Sequence, residues 1–500
     1  MLWIALFLPE LPLQLAQRGG QMTGPCVIAE GPTTRPLVRC ANPAAREYGV
    51  VPAMAVAAAR ALAGTLVVLQ RHEATEAQAL HNLACWASQF TPNVALHAGK
   101  GLLLEVQSTL QLHGGLPPLL TRIGQGLEAL GYHAALSVAP TPLAAWLLAK
   151  AQITGAPASV YTDSASLRRH LEALPLALFG WSDAILAPLQ ALGIHRIGQC
   201  LALPRAGFLQ RFGPVCQRDL DRALGNIPDP RAYFTPPDTF ASDTEFGFEV
   251  NDALALLFPL KRLLQELEGW LRGRGAGVQQ WQLVLEHMRH GSTVLTISVA
   301  APQRSTDRFL ALARERLEQT TLSAPVLALG IAADQLLPFE QHNHSLIPDA
   351  RSRAIGWEHL MDKLGSRLGA DRLYRLHTLE GHRPEQTSKR SATLSGRTPP
   401  AALYKTPATT PRMMSPTPSP PPRPLWLLDT PRALHVADTG PRCQGHLRFL
   451  AGPERIESGW WDGQPARRDY YVVRNAQGET FWIYREHQRE EAWYLHGIFV

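Results

Sequence analysis

Five hundred residues are more than one hydrophobic core supports, and a composition of 45% hydrophobic with 18% charged residues excludes a fibrous or wholly disordered chain. The net charge of +6 leans toward polyanionic partners, yet Gly381 to Pro424 alone carries seven Lys and Arg against one Glu, which leaves the remainder close to neutral. Six scattered cysteines (Cys26, Cys40, Cys85, Cys200, Cys216, Cys443) form no Cys-x-x-Cys pair and no cluster with histidine, which argues against a zinc site or a disulfide framework and fits a reducing, cytoplasmic setting with no cofactor.

In chain order, the apolar opening "MLWIALFLPELPLQLAQ" has no basic start and is interrupted by Pro9, Glu10 and Pro12, so it predicts a first strand and turn rather than a signal peptide. Val50 to Leu69 is long enough to span a membrane, but Arg60 at its centre would cost about 2.5 to 3.5 kcal/mol. An Ala-rich helix, a stop at Gly64 and a strand are expected there, with no membrane partner. Residues 1–160 alternate short apolar runs ("LWIALFL", "TLVVL", "GLLLEVQ", "AALSVA") with helical stretches, the pattern of a mixed unit on one sheet. Residues 161–236 read as an all-helical module and 237–340 as a second α+β domain. Residues 341–398 read as a partly helical connector. Ten prolines among residues 399–424 predict an extended tether, and 425–500 alternate aromatic and polar residues around turns such as "NAQG", the pattern of a small antiparallel sheet. The fold class is therefore α+β multidomain.

Three stretches together resemble the Y-family, or lesion-bypass, DNA polymerases. "CANPAAREYGVVPAMAVAAARAL" (40–62) resembles the fingers, "FTPNVALHAGKGLLLEVQSTLQLHGG" (90–115) the palm, and "LQALGIHRIGQCLALPRAGFLQRFG" (189–213) the thumb with its helix-hairpin-helix. The resemblance covers roughly residues 1–340, with fingers at about 20–75 and a little-finger-like domain at 237–340. It implies that the acidic pair of the palm falls on Lys100 and Gly101 and the first-strand Asp on Phe7. Two-metal phosphoryl transfer needs carboxylates to hold its cations, so that register leaves no catalytic residue and no metal ligand. Arg46 matches the fingers arginine, whereas the neighbouring tyrosine position is Pro43 and the palm lysine is Trp146. Glu10 and Glu105 are the nearest surviving carboxylates, and strand alternation marks Glu105 as an ordinary exposed residue.

The pattern is that of the catalytically silent members of the family, which implies DNA-damage-induced (SOS) mutagenesis in the company of a small RecA-related protein and a DnaE-type error-prone polymerase. Backbone contact with DNA is expected at the "LGIHRIG" turn through Gly193, Ile194, Arg196 and Gly198, with Arg205 and Arg211 adding charge and Arg289, His290 and Arg304 as further candidates. "DQLLPFE" orders Gln335, Leu336, Leu337, Pro338 and Phe339 as in short peptides that bind the bacterial β sliding clamp, and Pro338 is expected to end any strand ladder. Trp460, Trp461, Tyr470, Tyr471, Trp482, Tyr484 and Trp493 supply either a small core or a protein-contact face. Two other functions stay open on the sequence: an active, Mg-dependent error-prone polymerase and a single-strand-binding accessory protein.

Overall fold

The run Leu2–Leu8 is apolar at every position, and the strand it forms lies at the centre of a sheet with both faces covered. The computed structural model describes residues 1–20, 24–97, 99–153, 155–156, 159–288, 291–322, 324–339, 360–361, 364–365, 372–379, 382–391, 423–437, 440–459, 465–487 and 492–499. It divides into two units, Met1–Arg367 and Leu368–Val500. Among the described residues no helix is long and apolar enough to cross a membrane.

The first unit begins with β1 (Trp3–Phe7), α1 (Leu11–Arg18), β2 (Cys26–Glu30), β3 (Leu37–Ala41), α2 (Pro43–Glu47), α3 (Val56–Leu62) and β4 (Val67–Gln70). It continues through α4 (Glu73–Ala87), β5 (Val94–His97), β6 (Gly101–Glu105), α5 (Leu116–Leu130), β7 (Ala135–Ala139), α6 (Pro142–Ile153) and β8 (Ser159–Val160). These make two sheets rather than the single one expected: β5-β6-β1-β7-β8 and β3-β2-β4. The run "TLVVL" joins the smaller sheet because β4 pairs in parallel with β2, Cys26 facing Val67, around a core of its own that includes Val27, Val38, Val50 and Val56. In the larger sheet β1 is antiparallel to both neighbours, with Phe7 opposite Gly101 and Trp3 opposite Glu105.

Strand signals then give way to α7 (Ser164–Ala173), α8 (Asp183–Ala191), α9 (Ile197–Leu201) and α10 (Arg205–Leu224). Asp163 starts α7 by accepting from the amides of Ala165 (3.0 Å) and Ser166 (2.8 Å), and Gly213, at φ 83°, breaks α10 before Pro214. These helices share a core with α6, which is buried from Ala144 to Ala149 and turns polar only in its last turn, at Lys150 and Gln152.

The second α+β region holds β9 (Phe240–Val250), α11 (Leu257–Gly273), β10 (Ala276–His287), β11 (Ser292–Gln303), α12 (Thr306–Glu318), β12 (Val326–Ala333) and β13 (Leu337–Pro338). Its sheet runs β11-β10-β12-β9 and is antiparallel throughout, with β13 added beside β10. Helix α11 packs against α4 and α5 as well as its own sheet. Trp86 sits between two glycines, Gly126 and Gly269, where an added Cβ would come within 2.3 Å and 2.4 Å of the indole. Beside it lies a buried polar network: Arg18 donates to the Tyr132 hydroxyl and to Glu266, Ser242 Oγ donates to Glu266 Oε2 at 2.6 Å, and Arg262 Nη1 donates to the Arg18 carbonyl at 3.1 Å. Here the hydrogen bonds and opposite charge outweigh the penalty of burying Arg18, whose pKa is raised.

The second unit contains β14 (Arg375–Thr378), β15 (Ser388–Ser391), β16 (Trp426–Ala433), β17 (His435–Ala437), β18 (Gly440–Arg442), β19 (Arg448–Ser458), β20 (Ala466–Arg474), β21 (Thr480–Glu486) and β22 (Trp493–Phe499). The expected antiparallel sheet is present in the order β16-β22-β21-β20-β19, and the "NAQG" turn joins β20 to β21 with Asn475 Oδ1 accepting from the Gln477 and Glu479 amides. Two expectations change. The 341–398 connector is helical at residues 360–361 and 364–365, as expected, and also holds a β-hairpin that was not expected, Arg375 facing Ser391 with a 3-10 turn at Pro384–Gln386 between its strands. Arg468 Nη1 donates to Glu385 at 3.0 Å, so residues on both sides of the Pro-rich stretch belong to one unit. Residues 399–422 of that stretch lie outside the described residues.

Candidate functional site

One end of the β1–β6 pair opens on a cavity of about 190 Å³ lined by Phe7, His97, Lys100, Leu143, Trp146, Leu147, Lys150, Leu178 and Phe179. The turn that carries it is short: the Lys100 amide donates to His97 O at 3.1 Å, Gly99 takes φ 61°, and Leu8 N reaches Lys100 O at 2.8 Å, which ties the turn to the end of β1. Trp146 forms the wall. Its ring meets Phe7 edge-on at 5.0 Å and the His97 imidazole at 4.4 Å. Lys150 donates to the Leu178 carbonyl from the next turn of α6.

The electrostatics of this cavity are cationic. Burial, and then the charge of Lys100, push the Lys150 ammonium below its usual pKa. His97 is held neutral, its pKa lowered to about 4 by burial and by Arg231, whose Nη1 donates to His97 Nδ1 at 3.1 Å. Because a guanidinium only donates, the imidazole proton rests on Nε2. No lining residue is a carboxylate. Gly101 stands against the β1 backbone: a Cβ there would lie 1.9 Å from Leu6 O and 3.1 Å from Trp146 Cζ3. The local backbone thus has no room for any side chain at 101.

Of the residues singled out in the sequence, Phe7, Lys100, Gly101 and Trp146 come together at this cavity. Pro43 and Arg46 do not line it. Pro43 is the first residue of α2, behind the Asn42 cap that accepts from Ala45 N at 2.9 Å, and Arg46 forms an ion pair with Glu10. Sequence reasoning missed His97, Lys150 and Arg231. The signal for Lys150 was present, since it is the one charged residue in the otherwise apolar helix "PLAAWLLAKAQI".

Glu105 corrects an expectation: it is buried, accepting from Asn93 Nδ2 and the Gln107 amide at 3.2 Å each. Alternation misleads here because β6 is an interior strand covered on both faces. Glu105 lies opposite Trp3 while Glu10 follows the far end of β1, so the chain does not bring these two carboxylates together.

At the "LGIHRIG" turn Gly193 adopts φ 77°, as a tight turn requires, and Ile194 is buried. The amides expected to cradle phosphate are engaged within the chain. His195 N and Arg196 N donate to Gln199 Oε1 at 2.9 and 3.0 Å, Ile194 N to Leu189 O at 2.9 Å and Ile197 N to Leu174 O at 2.9 Å. Gly198 is packed on Glu172, whose Cβ and O lie 3.0 Å from an added Cβ. The side chains of Arg196 and Arg211 are exposed, while Arg205 pairs with buried Asp221.

Gln335 is exposed, but the residues after it are laid against their own sheet. Leu336 packs on the core of the second α+β region, and Leu337 and Pro338 pair with Gly277 and Ala276 as β13. Pro338 therefore does not end the ladder. It is tolerated there because an added edge strand can spare its missing donor. Phe339 lies over Gly277 and beneath the Arg304 guanidinium, 4.2 Å from the ring centroid. Arg304 is thus occupied by an aromatic ring, and Arg289 and His290 lie outside the described residues. In the second unit Tyr470, Trp482 and Tyr484 are core residues, Tyr471 and Trp493 are half-buried, and Trp460 and Trp461 lie outside the described residues.

Comparison with known proteins adds the following. Residues 14–150 match the impB/mucB/samB family. Protein ImuB from two strains of Caulobacter vibrioides is 29% identical over 477 residues, covering 90% of this chain and the whole of the relative. Among solved structures, a Dbh–Dpo4 chimera of the Y-family polymerases matches 67% of this chain and 99% of its own at 16% identity and a TM-score of 0.40, and DinB from Sulfolobus solfataricus matches 68% and 100% at 16% and 0.39. Residues 14–150 thus carry an impB/mucB/samB-type segment, and over most of its length the chain is similar to ImuB.

Proposed function

We propose that this protein acts without polymerase chemistry, as a DNA-binding and clamp-binding hub in damage-induced translesion synthesis and mutagenesis. The observation that carries the reading is the cavity at Phe7, Lys100 and Gly101, whose lining is two ammonium groups, a neutral imidazole and apolar side chains. Divalent cations need oxygen ligands, and a site of that lining repels them. Residues 1–160 would serve as palm and fingers, 161–236 as thumb and 237–340 as little finger. Arg196, Arg211 and, after release from Asp221, Arg205 would follow the DNA backbone without reading sequence.

Clamp binding rests on the Gln335–Phe339 segment. Because Leu336 and Phe339 already have partners in their own domain, engagement with the β sliding clamp requires the β13 edge to lift off Gly277. The second unit, with an exposed Trp426 and an aromatic core, would contact an ImuA-like RecA-related protein or an ImuC-type DnaE polymerase. The likeness to ImuB supports that choice of partners.

Two measurements test the reading. Primer extension with Mg or Mn is expected to yield no product, and template-directed incorporation lost in Glu10→Ala or Glu105→Ala would overturn it. Clamp pull-down is expected to fail when Gln335, Leu336 and Phe339 are changed to Ala, and retention of the clamp by that variant would move the contact elsewhere.

A further inference from the structure

We propose that the second unit carries its own binding surface for duplex DNA on the β14–β15 ribbon, held through the phosphate backbone and separate from the "LGIHRIG" turn of the first unit. Charge is unevenly placed along this chain. Residues 371–424 hold nine Lys and Arg against three acids, an excess equal to the whole net charge of +6, so the rest of the chain is balanced. Of those acids Glu385 is already answered, since it accepts from Arg468 Nη1 at 3.0 Å. Two of the cations are also engaged: Arg383 is buried, and Arg423 lies over the Trp482 ring at 4.9 Å and donates to Glu454. Arg372 and Arg390 stand exposed on the ribbon, the second of them over the Tyr374 ring at 4.7 Å.

The geometry of the ribbon selects the ligand. Among the described residues its strands pair only with each other, Leu376 facing Arg390 and His377 facing Lys389. Leu376 and His377 point to opposite faces and both are exposed, as are Tyr374 and Arg390. Neither face is therefore packed on the five-stranded sheet, and a two-stranded ribbon covered on neither side is marginal in water until something else orders it. Its turn is fixed, because Pro384 is buried and Glu385 is bound by Arg468 of β20. An anchored ribbon with polar and cationic side chains on both faces suits the major groove of duplex DNA, about 12 Å wide, where it meets phosphates on both walls. The exposed Tyr374 and Leu376 are then set against base edges and thymine methyls at the groove floor. An apolar protein partner would cover these two side chains equally well, but it would leave the concentrated positive charge without a counterpart.

The test uses the full chain and a fluorescent duplex of about 20 base pairs, titrated by anisotropy at several salt concentrations. Changing Arg372, Lys389 and Arg390 together to Gln is expected to weaken binding about tenfold at low salt. The salt slope should fall by about two or more, since each lost phosphate contact removes about 0.9. Arg467→Gln, which removes an exposed cation of β20 paired with Glu457, should change neither quantity. Arg196→Gln with Arg211→Gln reports the thumb contact separately, and the two sets of losses should add in the slope. A loss confined to the ribbon set would uphold this surface and remove the thumb assignment, whereas a loss confined to the thumb set would overturn the proposal. Unchanged affinity in the ribbon variant would overturn it too and leave the surface to an acidic protein. Displacement of the duplex by an equimolar single strand of the same length would overturn the choice of duplex. Photo-cross-linking of the unaltered protein should attach the duplex within residues 372–391, which keeps the test decisive if the triple variant misfolds, and cross-links found only in the first unit would sink the proposal.

Discussion

Two places in the first unit bring cations together, and they treat them in opposite ways. At the junction of α1, α5 and α11, Arg18 is buried but answered by Glu266, the Tyr132 hydroxyl and, through Glu266, Ser242. At the cavity, Lys150 donates to the Leu178 carbonyl and feels the charge of Lys100, while neutral His97 beside them is held by Arg231, which itself pairs with Asp229. The junction is built to hold two layers of secondary structure in one arrangement. The cavity leaves its charge to solvent, Lys100 being exposed at the mouth and Lys150 half-buried behind it. The difference also separates two uses of glycine: Gly126 and Gly269 admit Trp86 into the junction, whereas Gly101 lets β6 close against β1 at the place where the family resemblance puts an acid.

The largest effect should come from breaking the junction. Glu266→Ala would strand the Arg18 guanidinium in a dry interface, and losing one partner of a buried pair costs about 3 to 5 kcal/mol. Urea unfolding should show the midpoint falling sharply. A loss under about 1 kcal/mol, the range of exposed pairs, would mean that water reaches the pair and the contrast with the cavity is weaker than drawn.

A smaller but more informative loss is expected from placing acids at positions 100 and 101. Lys100→Asp alone removes a repulsion and should leave stability nearly unchanged. Gly101→Glu should cost at least the roughly 1 to 3 kcal/mol of an overfilled core, because its Cβ meets the Leu6 carbonyl before the carboxylate is even placed. The double variant should therefore melt lower than Lys100→Asp and still extend no primer. Wild-type melting by the double variant would show that the close approach of β6 to β1 yields easily.

Much of this was legible in the sequence where local pattern and burial agree. The first strand, the Ala-rich helix before Gly64, the helices of 164–224 and the aromatic sheet around "NAQG" all follow from period, caps and turns. The cavity was legible in part: Phe7, Lys100, Gly101 and Trp146 fell together because a strand pair and one helix bring them there. What escaped depended on long-range contacts. Glu105 is buried because its strand is interior, β9 was missed because "ASDTEFGFEV" carries three acids in a short run, and Arg18 meets Glu266 across 248 positions. The Pro-rich stretch read as a tether between modules, yet the Arg468–Glu385 contact puts both its flanks in one unit. The 26 residues therefore link two parts of the second unit.

The smallest effect sharpens the cavity side of the comparison through pH. His97 has a folded-state pKa near 4, below the value near 6.5 of an unfolded histidine, so between those values the unfolded chain binds more protons than the folded one. Stability must then rise with pH across that window: the penalty is absent above 6.5, grows as pH falls and is complete below 4. His97→Gln should flatten the slope of unfolding free energy between pH 4 and 6.5 by up to one proton, with little change at pH 7.5. A slope unaffected by the histidine substitution would place the acid sensitivity elsewhere.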